Sequence, residues 1–252
     1  MKRVMMVWCV LVLTACGGGG GSNSDDSPAS SNEAKGVYRG ATDTGRALLA
    51  VVLDSGESYF FLGAEGGGYD AVEGLVHGVA TAARGSLSIA PARRFYLDGD
   101  GEPVLAVSVE ATYVQGQYMT GKVVDDQGEA MGFTSAPDGD VVANLDDLEG
   151  VYAGGFDTVA GTQFTTIEVG ADGALTGRVS VEAYCSFSGA VVPKAEGMAF
   201  NLSISFDDPD CLYDGQTLGG ILFHDRENER IYIAALNSDR SAGVFFYGGY
   251  PR

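Results

Sequence analysis

The side chains able to do chemistry are few in this chain of 252 residues: two histidines, four cysteines and 34 carboxylates against 15 Lys and Arg. His77 sits in Val76-His77-Gly78 and His224 in Phe223-His224-Asp225. Two histidines with no Cys near either do not make a zinc site, and no Gly-x-Ser-x-Gly elbow supplies a nucleophile for a histidine base. Both are expected to be strand or turn residues, and no cofactor is expected. Asp98-Gly99-Asp100-Gly101-Glu102 has the opening spacing of a calcium loop. It lacks the third ligand before the Gly and the closing Glu, which favours a hairpin tip. Asp207, Asp208 and Asp210, beside Cys211, fit a weak Ca²⁺ contact or a solvated acidic loop equally well. Arg93-Arg94, ahead of Phe95-Tyr96, is a basic doublet that suits strand-end solvation or a local contact with an anion.

The elements that must position these groups are short strands. A formal charge of -19 repels a phosphate backbone, so nucleic acid is not an expected partner. The 38 glycines punctuate short apolar runs, which calls for tight turns and little helix. Leu105, Val107, Val109, Ala111 and Tyr113 alternate with Ala106, Ser108, Glu110 and Thr112, and Phe200, Leu202, Ile204 and Phe206 alternate likewise, which predicts half-buried strands. Further runs bounded by turn residues include 48–53, 59–62, 164–169, 221–224, 231–236 and 244–247.

Gly36-Val37-Tyr38-Arg39-Gly40-Ala41-Thr42-Asp43-Thr44 recurs as Gly150-Val151-Tyr152-Ala153-Gly154-Gly155-Phe156-Asp157-Thr158, with six of nine residues identical. The repeat predicts an all-β chain of two tandem related antiparallel barrel or sandwich units, over residues 35–145 and 146–252. One larger barrel built from both copies is the alternative.

At the N-terminus Lys2 and Arg3 precede an apolar run over 4–13, too short to span a bilayer, that ends in Leu13-Thr14-Ala15-Cys16. The pattern resembles the lipobox of bacterial lipoproteins. The resemblance implies that residues 1–15 are a signal peptide, that Cys16 carries the lipid, and that the membrane is a partner through this anchor. Gly17 after the Cys, where that family uses Asp for inner-membrane retention, implies the outer membrane; which face is left open. Residues 16–34, rich in Gly, Ser and Asn, form the lipidated Cys and a flexible tether. No other stretch has the length of a transmembrane helix. In an exported chain Cys185 and Cys211 are most simply one disulfide.

Two further strings resemble known families. Thr42-Asp43-Thr44-Gly45 and Leu53-Asp54-Ser55-Gly56 are similar to the aspartic-protease signature. That chemistry needs two carboxylates sharing a proton, one per lobe, and the second copy offers only Asp157-Thr158-Val159. Ser55-Gly56-Glu57-Ser58-Tyr59 resembles the Ser-Gly-x-x-Tyr loop of membrane-bound lysozyme inhibitors of the c type, which implies Ser55 and Tyr59 as contacts to a protein partner. The expectation is a non-enzymatic binding or envelope-structural module on a lipid anchor, with inhibition of lysozyme as the alternative and aspartic-type hydrolysis behind it.

Overall fold

The computed structural model describes residues 32–69, 71–97, 103–139, 141–158, 160–179, 185–195 and 197–251. Cys16 and its lipobox, the signal peptide, most of the tether and the string over 98–102 lie outside the described residues.

The first copy folds as β1 (Gly36–Thr42), β2 (Arg46–Val52), β3 (Glu57–Glu65), β4 (Gly74–Ala83), β5 (Ser86–Tyr96), β6 (Val104–Val114), β7 (Tyr118–Asp125) and β8 (Ala130–Pro137). The second runs through β9 (Gly150–Thr158), β10 (Gly161–Val169), β11 (Ala174–Val179), β12 (Ser186–Pro193), β13 (Phe200–Phe206), β14 (Gln216–Asp225), β15 (Arg230–Leu236) and β16 (Gly243–Gly249). Within each copy every strand pairs antiparallel with its sequence neighbour, β1 closes on β8, and β9 closes on β16. The chain therefore forms two closed eight-stranded barrels rather than one ring shared by both copies. Closure leaves no free sheet edge. The one helical element among the described residues is a 3-10 turn, Leu145–Asp147, capped by the Asn144 side chain accepting from the Asp146 N–H. No described helix is long and apolar enough to cross a membrane.

The repeated residues do the same work twice. The hydroxyl of Tyr38 donates to the Ala34 carbonyl at 2.9 Å, and that of Tyr152 to the Leu148 carbonyl at 3.0 Å, so each repeated Tyr ties the incoming chain to its barrel. Gly40 and Gly154 lie where the rings close: a Cβ on either would stand 2.0 Å from the carbonyl oxygen of Thr134 or Tyr247. Only glycine permits that approach. Asn32–Ala34, which composition assigns to the tether, already belong to barrel 1. The Asn32 amide donates to the Ala80 carbonyl, and Ala34 is fully buried.

Alternation along β2 and β3 sends side chains to two different cores. Leu48, Ala50, Val52, Phe60 and Leu62 fill the inside of barrel 1. Leu49, Val51, Tyr59 and Phe61 point outward and pack against Ile221, Phe223, Tyr232 and Phe245 of barrel 2. Phe61 meets Tyr232 at 5.6 Å between ring centroids, and Phe95 meets Phe245 at 5.3 Å. Strands buried on both faces read as unbroken apolar runs, whereas β6 and β13, away from this seam, alternate. The seam is used once. The outward face of β11, the counterpart of β3 in the second copy, is exposed and carries Thr176 and Arg178.

Charged groups lock the seam. Arg39 on β1 reaches Asp138 at 2.7 Å and, across the seam, Asp225 at 2.8 Å. The Asp225 side chain is 2% exposed, and Asn228 donates to both its oxygens. Burial pulls the Arg39 pKa down, but the two carboxylates outweigh it and hold the guanidinium charged. Tyr69 lies under that guanidinium at 5.1 Å, and its carbonyl accepts from Arg230 and from the Tyr232 hydroxyl. Lys194 of barrel 2 faces Glu57 of barrel 1 at 3.6 Å.

Candidate functional site

The residues singled out by sequence fall mostly into structural roles. Ser55 occupies the β2–β3 turn, where the Gly56 N–H donates to the Leu53 carbonyl and Gly56 takes φ 87°. Tyr59 does not extend from that turn. It shares the outward face of β3 with Glu57 and Phe61, is 1% exposed in the seam, donates to Glu57 at 2.8 Å and packs on the His77 ring at 4.6 Å. A buried Tyr has no surface to place in a lysozyme cleft, so the Ser-Gly-x-x-Tyr string is a hairpin leading into a seam strand. Glu57 is pushed down to about 2, chiefly by His77, against the opposing effect of burial, with Tyr59 and Lys194 adding to the drop.

Asp43 and Asp54 lie at opposite ends of the seven-residue β2, roughly 20 Å apart at the strand rise. Asp43 accepts from the Gly132 N–H at 2.9 Å; Asp54 accepts from the Asn32 N–H at 3.2 Å and faces Lys35 at 3.6 Å. Carboxylates so placed cannot share a proton, and the aspartic-type arrangement is not assembled. His224 is buried edge-on against Tyr152, and burial pushes its pKa down, with Arg226 adding to the shift. Alternation separates the basic doublet, and Arg94 lies over the Tyr96 ring at 4.2 Å.

Cys185 and Cys211 form a disulfide in barrel 2. Beside it, Asp208 accepts from the backbone N–H groups of Ser186 and Asp210. Among the described residues no group of three or more His, Cys, Asp or Glu is gathered as a metal ion would require.

What sequence reasoning missed is Asp157. It is the counterpart of Asp43, but where Asp43 caps an exposed turn, Asp157 is 5% exposed. It lines a groove of ≈ 500 Å³ between the barrels. One wall comes from the β3–β4 and β5–β6 connections of barrel 1, through Val72, Glu73 and Leu97. The other is the outer surface of β9, β10 and β16, with Gly155, Phe164 and Tyr247. Phe164, outward on β10, keeps 55% of its surface exposed. Gly155 replaces the Ala41 of the first copy, and a Cβ there would meet only the Asp157 carboxylate and the Thr162 methyl at 3.6 Å. The missing side chain leaves the groove open.

Asp157 accepts a short hydrogen bond from the Thr162 hydroxyl. No cation among the described residues pairs with it; Arg46 of barrel 1 pairs with Glu73 at 3.0 Å. Burial raises the Asp157 pKa to about 6, the Thr162 hydrogen bond opposes the rise, and the Glu73 charge adds to it. An apolar groove between two domains with a perturbed carboxyl at its base is the usual setting of a ligand site. The mouth of barrel 2 holds a second cavity, ≈ 360 Å³, lined by Phe156, Phe206, Leu212 and Tyr213. It has no comparable buried carboxyl among its lining residues. The internal repeat was the signal that could have found Asp157, since it marks the aspartate as shared while Gly155 and Phe156 beside it differ from the first copy.

No family model matches the chain, and no curated protein matches it. Among solved structures it is similar, at a TM-score of 0.27 and 12% identity, to a Bacteroides fragilis chain described provisionally as an outer membrane protein. That likeness covers 87% of this chain and 100% of the other and is too loose to carry an argument about fold or function.

Proposed function

We propose that this chain is a lipid-anchored protein of the bacterial outer membrane that binds a small ligand in the groove between its barrels and does no chemistry on it. The observation that carries the binding part is the groove itself, walled by apolar side chains and based on the buried carboxyl of Asp157. Its volume suits a small molecule. Catalysis would call for a base poised beside a nucleophile, whereas His77 and His224 are packed against aromatic rings. The anchor part rests on the Leu13-Thr14-Ala15-Cys16 sequence.

Two experiments test this. Cys16→Ser should release the protein from the membrane fraction and remove the lipid mass from its N-terminus; a membrane-bound variant of unchanged mass overturns the anchor. Gly155→Leu should fill the groove without disturbing the backbone. Small molecules released on denaturing the purified wild-type chain should be missing from this variant, and equal recovery from both overturns the groove as the site.

A further inference from the structure

We infer that the ligand of the inter-barrel groove is an organic ammonium ion carried on an apolar body, held by the Asp157 carboxylate as its counter-ion. The inference rests on the groove being the ligand site and adds its chemistry. A carboxylate removed from water loses solvation worth several kcal/mol unless a partner restores it. Asp157 has a single hydroxyl donor, Thr162, and no cation among the described residues, although the same position in the first copy sits in solvent against a backbone N–H. The Arg46 guanidinium of barrel 1 is engaged by Glu73. The groove thus holds a buried negative charge with acceptor capacity left over.

Three ligand charges can be compared. An anion entering between Asp157 and Glu73 meets two carboxylates, only one of them paired with Arg46. A neutral apolar molecule removes the remaining water from Asp157 and returns no hydrogen bond. An ammonium N–H restores the carboxylate's partner with a charge-assisted bond, while its apolar body covers Val72, Leu97 and Phe164. The exposed ring of Phe164 adds attraction for a cation. The net charge of -19 raises the local concentration of cations around the protein.

Among the described residues, the groups that face Asp157 are Thr162 and Tyr247 from barrel 2 and the Glu73–Arg46 pair from barrel 1. Asp157, held near 6 by burial, changes its charge under mild acid.

The test is calorimetric titration of the full chain, made with Cys16→Ser to avoid detergent, with phenethylamine, phenethyl alcohol and hydrocinnamate. These share a ring and differ in head-group charge. A charge-assisted bond should make the amine bind about tenfold more tightly than the alcohol at about pH 8, with hydrocinnamate weakest. That preference should vanish at about pH 5, where Asp157 is protonated, and in Asp157→Asn at either pH. Binding of the alcohol should persist in Asp157→Asn, which shows that the groove still exists, and all binding should be lost in Gly155→Leu. If alcohol or hydrocinnamate matches the amine and both are lost in Gly155→Leu, the ammonium inference falls while the groove reading stands. If none of the three binds, or Gly155→Leu leaves binding unchanged, both fall.

Discussion

Phe60 and Phe61 are adjacent residues with 1% and 2% of their surfaces exposed, and they point into different cores. Phe60 packs inside barrel 1, 5.8 Å from Phe133; Phe61 packs across the seam, 5.6 Å from Tyr232. Truncation of either to Ala removes a fully buried ring and should cost about 3–5 kcal/mol, the usual cost of lost burial plus a cavity. The costs should nevertheless be expressed in one event. Because the seam buries large aromatics from both copies, neither barrel keeps its surface satisfied without the other, so the pair should unfold in a single transition. Guanidinium unfolding followed by tyrosine fluorescence and far-UV circular dichroism is the assay. Both variants should shift the same transition to lower denaturant by comparable amounts. A cycle with Tyr232→Leu should give about 0.5–1.5 kcal/mol of coupling for Phe61 and about zero for Phe60. Two separate wild-type transitions, with Phe61→Ala moving neither, would refute the seam as a structural core.

Removing Arg39, as Arg39→Met, should destabilise by about 3–5 kcal/mol by leaving Asp138 and Asp225 facing each other without their guanidinium. The deficit is read from urea midpoints. For Asp157 the sign is opposite to that of most acidic side chains. Its folded pKa, about 6, lies above the ordinary 3.8, so the folded state binds the proton more tightly. Stability should fall by about 3 kcal/mol as pH rises through the window between the two values, and Asp157→Asn should abolish that fall. Loss of the Cys185–Cys211 bridge, which closes a separation of 26 residues, should lower stability by about 3.5 kcal/mol in the loop-entropy treatment, measured with and without reductant. Residues 32–140 expressed alone should aggregate, because Leu49, Val51, Phe61 and Phe95 lose their cover; a soluble monomer by light scattering would contradict this.

Much of the architecture was legible in the residues because it follows from local periodicity. Alternation at 105–113 and 200–206 marks strands with one wet face, the glycine-bounded turns mark hairpins, and the recurrence of Gly-Val-Tyr-x-Gly marks two copies of one unit. The pairing of Cys185 with Cys211 followed from counting thiols in a chain expected to be exported. That each copy closes on itself was decided by the registers of β1 with β8 and β9 with β16, which join residues too far apart in the chain for any local pattern to report. The same holds for the seam. The unbroken runs at 48–53 and 231–236 announce strands buried on both faces, yet only the packed structure says that each covers the other. It also decides the fate of the polar residues. Tyr59 reads as part of an exposed loop motif and is enclosed by barrel 2, whereas Asp157, the repeat counterpart of the exposed Asp43, is enclosed by barrel 1. Sequence determines which face of a strand a side chain takes, because that depends on neighbours two positions away. Which faces meet, and so which carboxyl loses its water, depends on contacts between the copies, where desolvation is a property of the assembled surfaces.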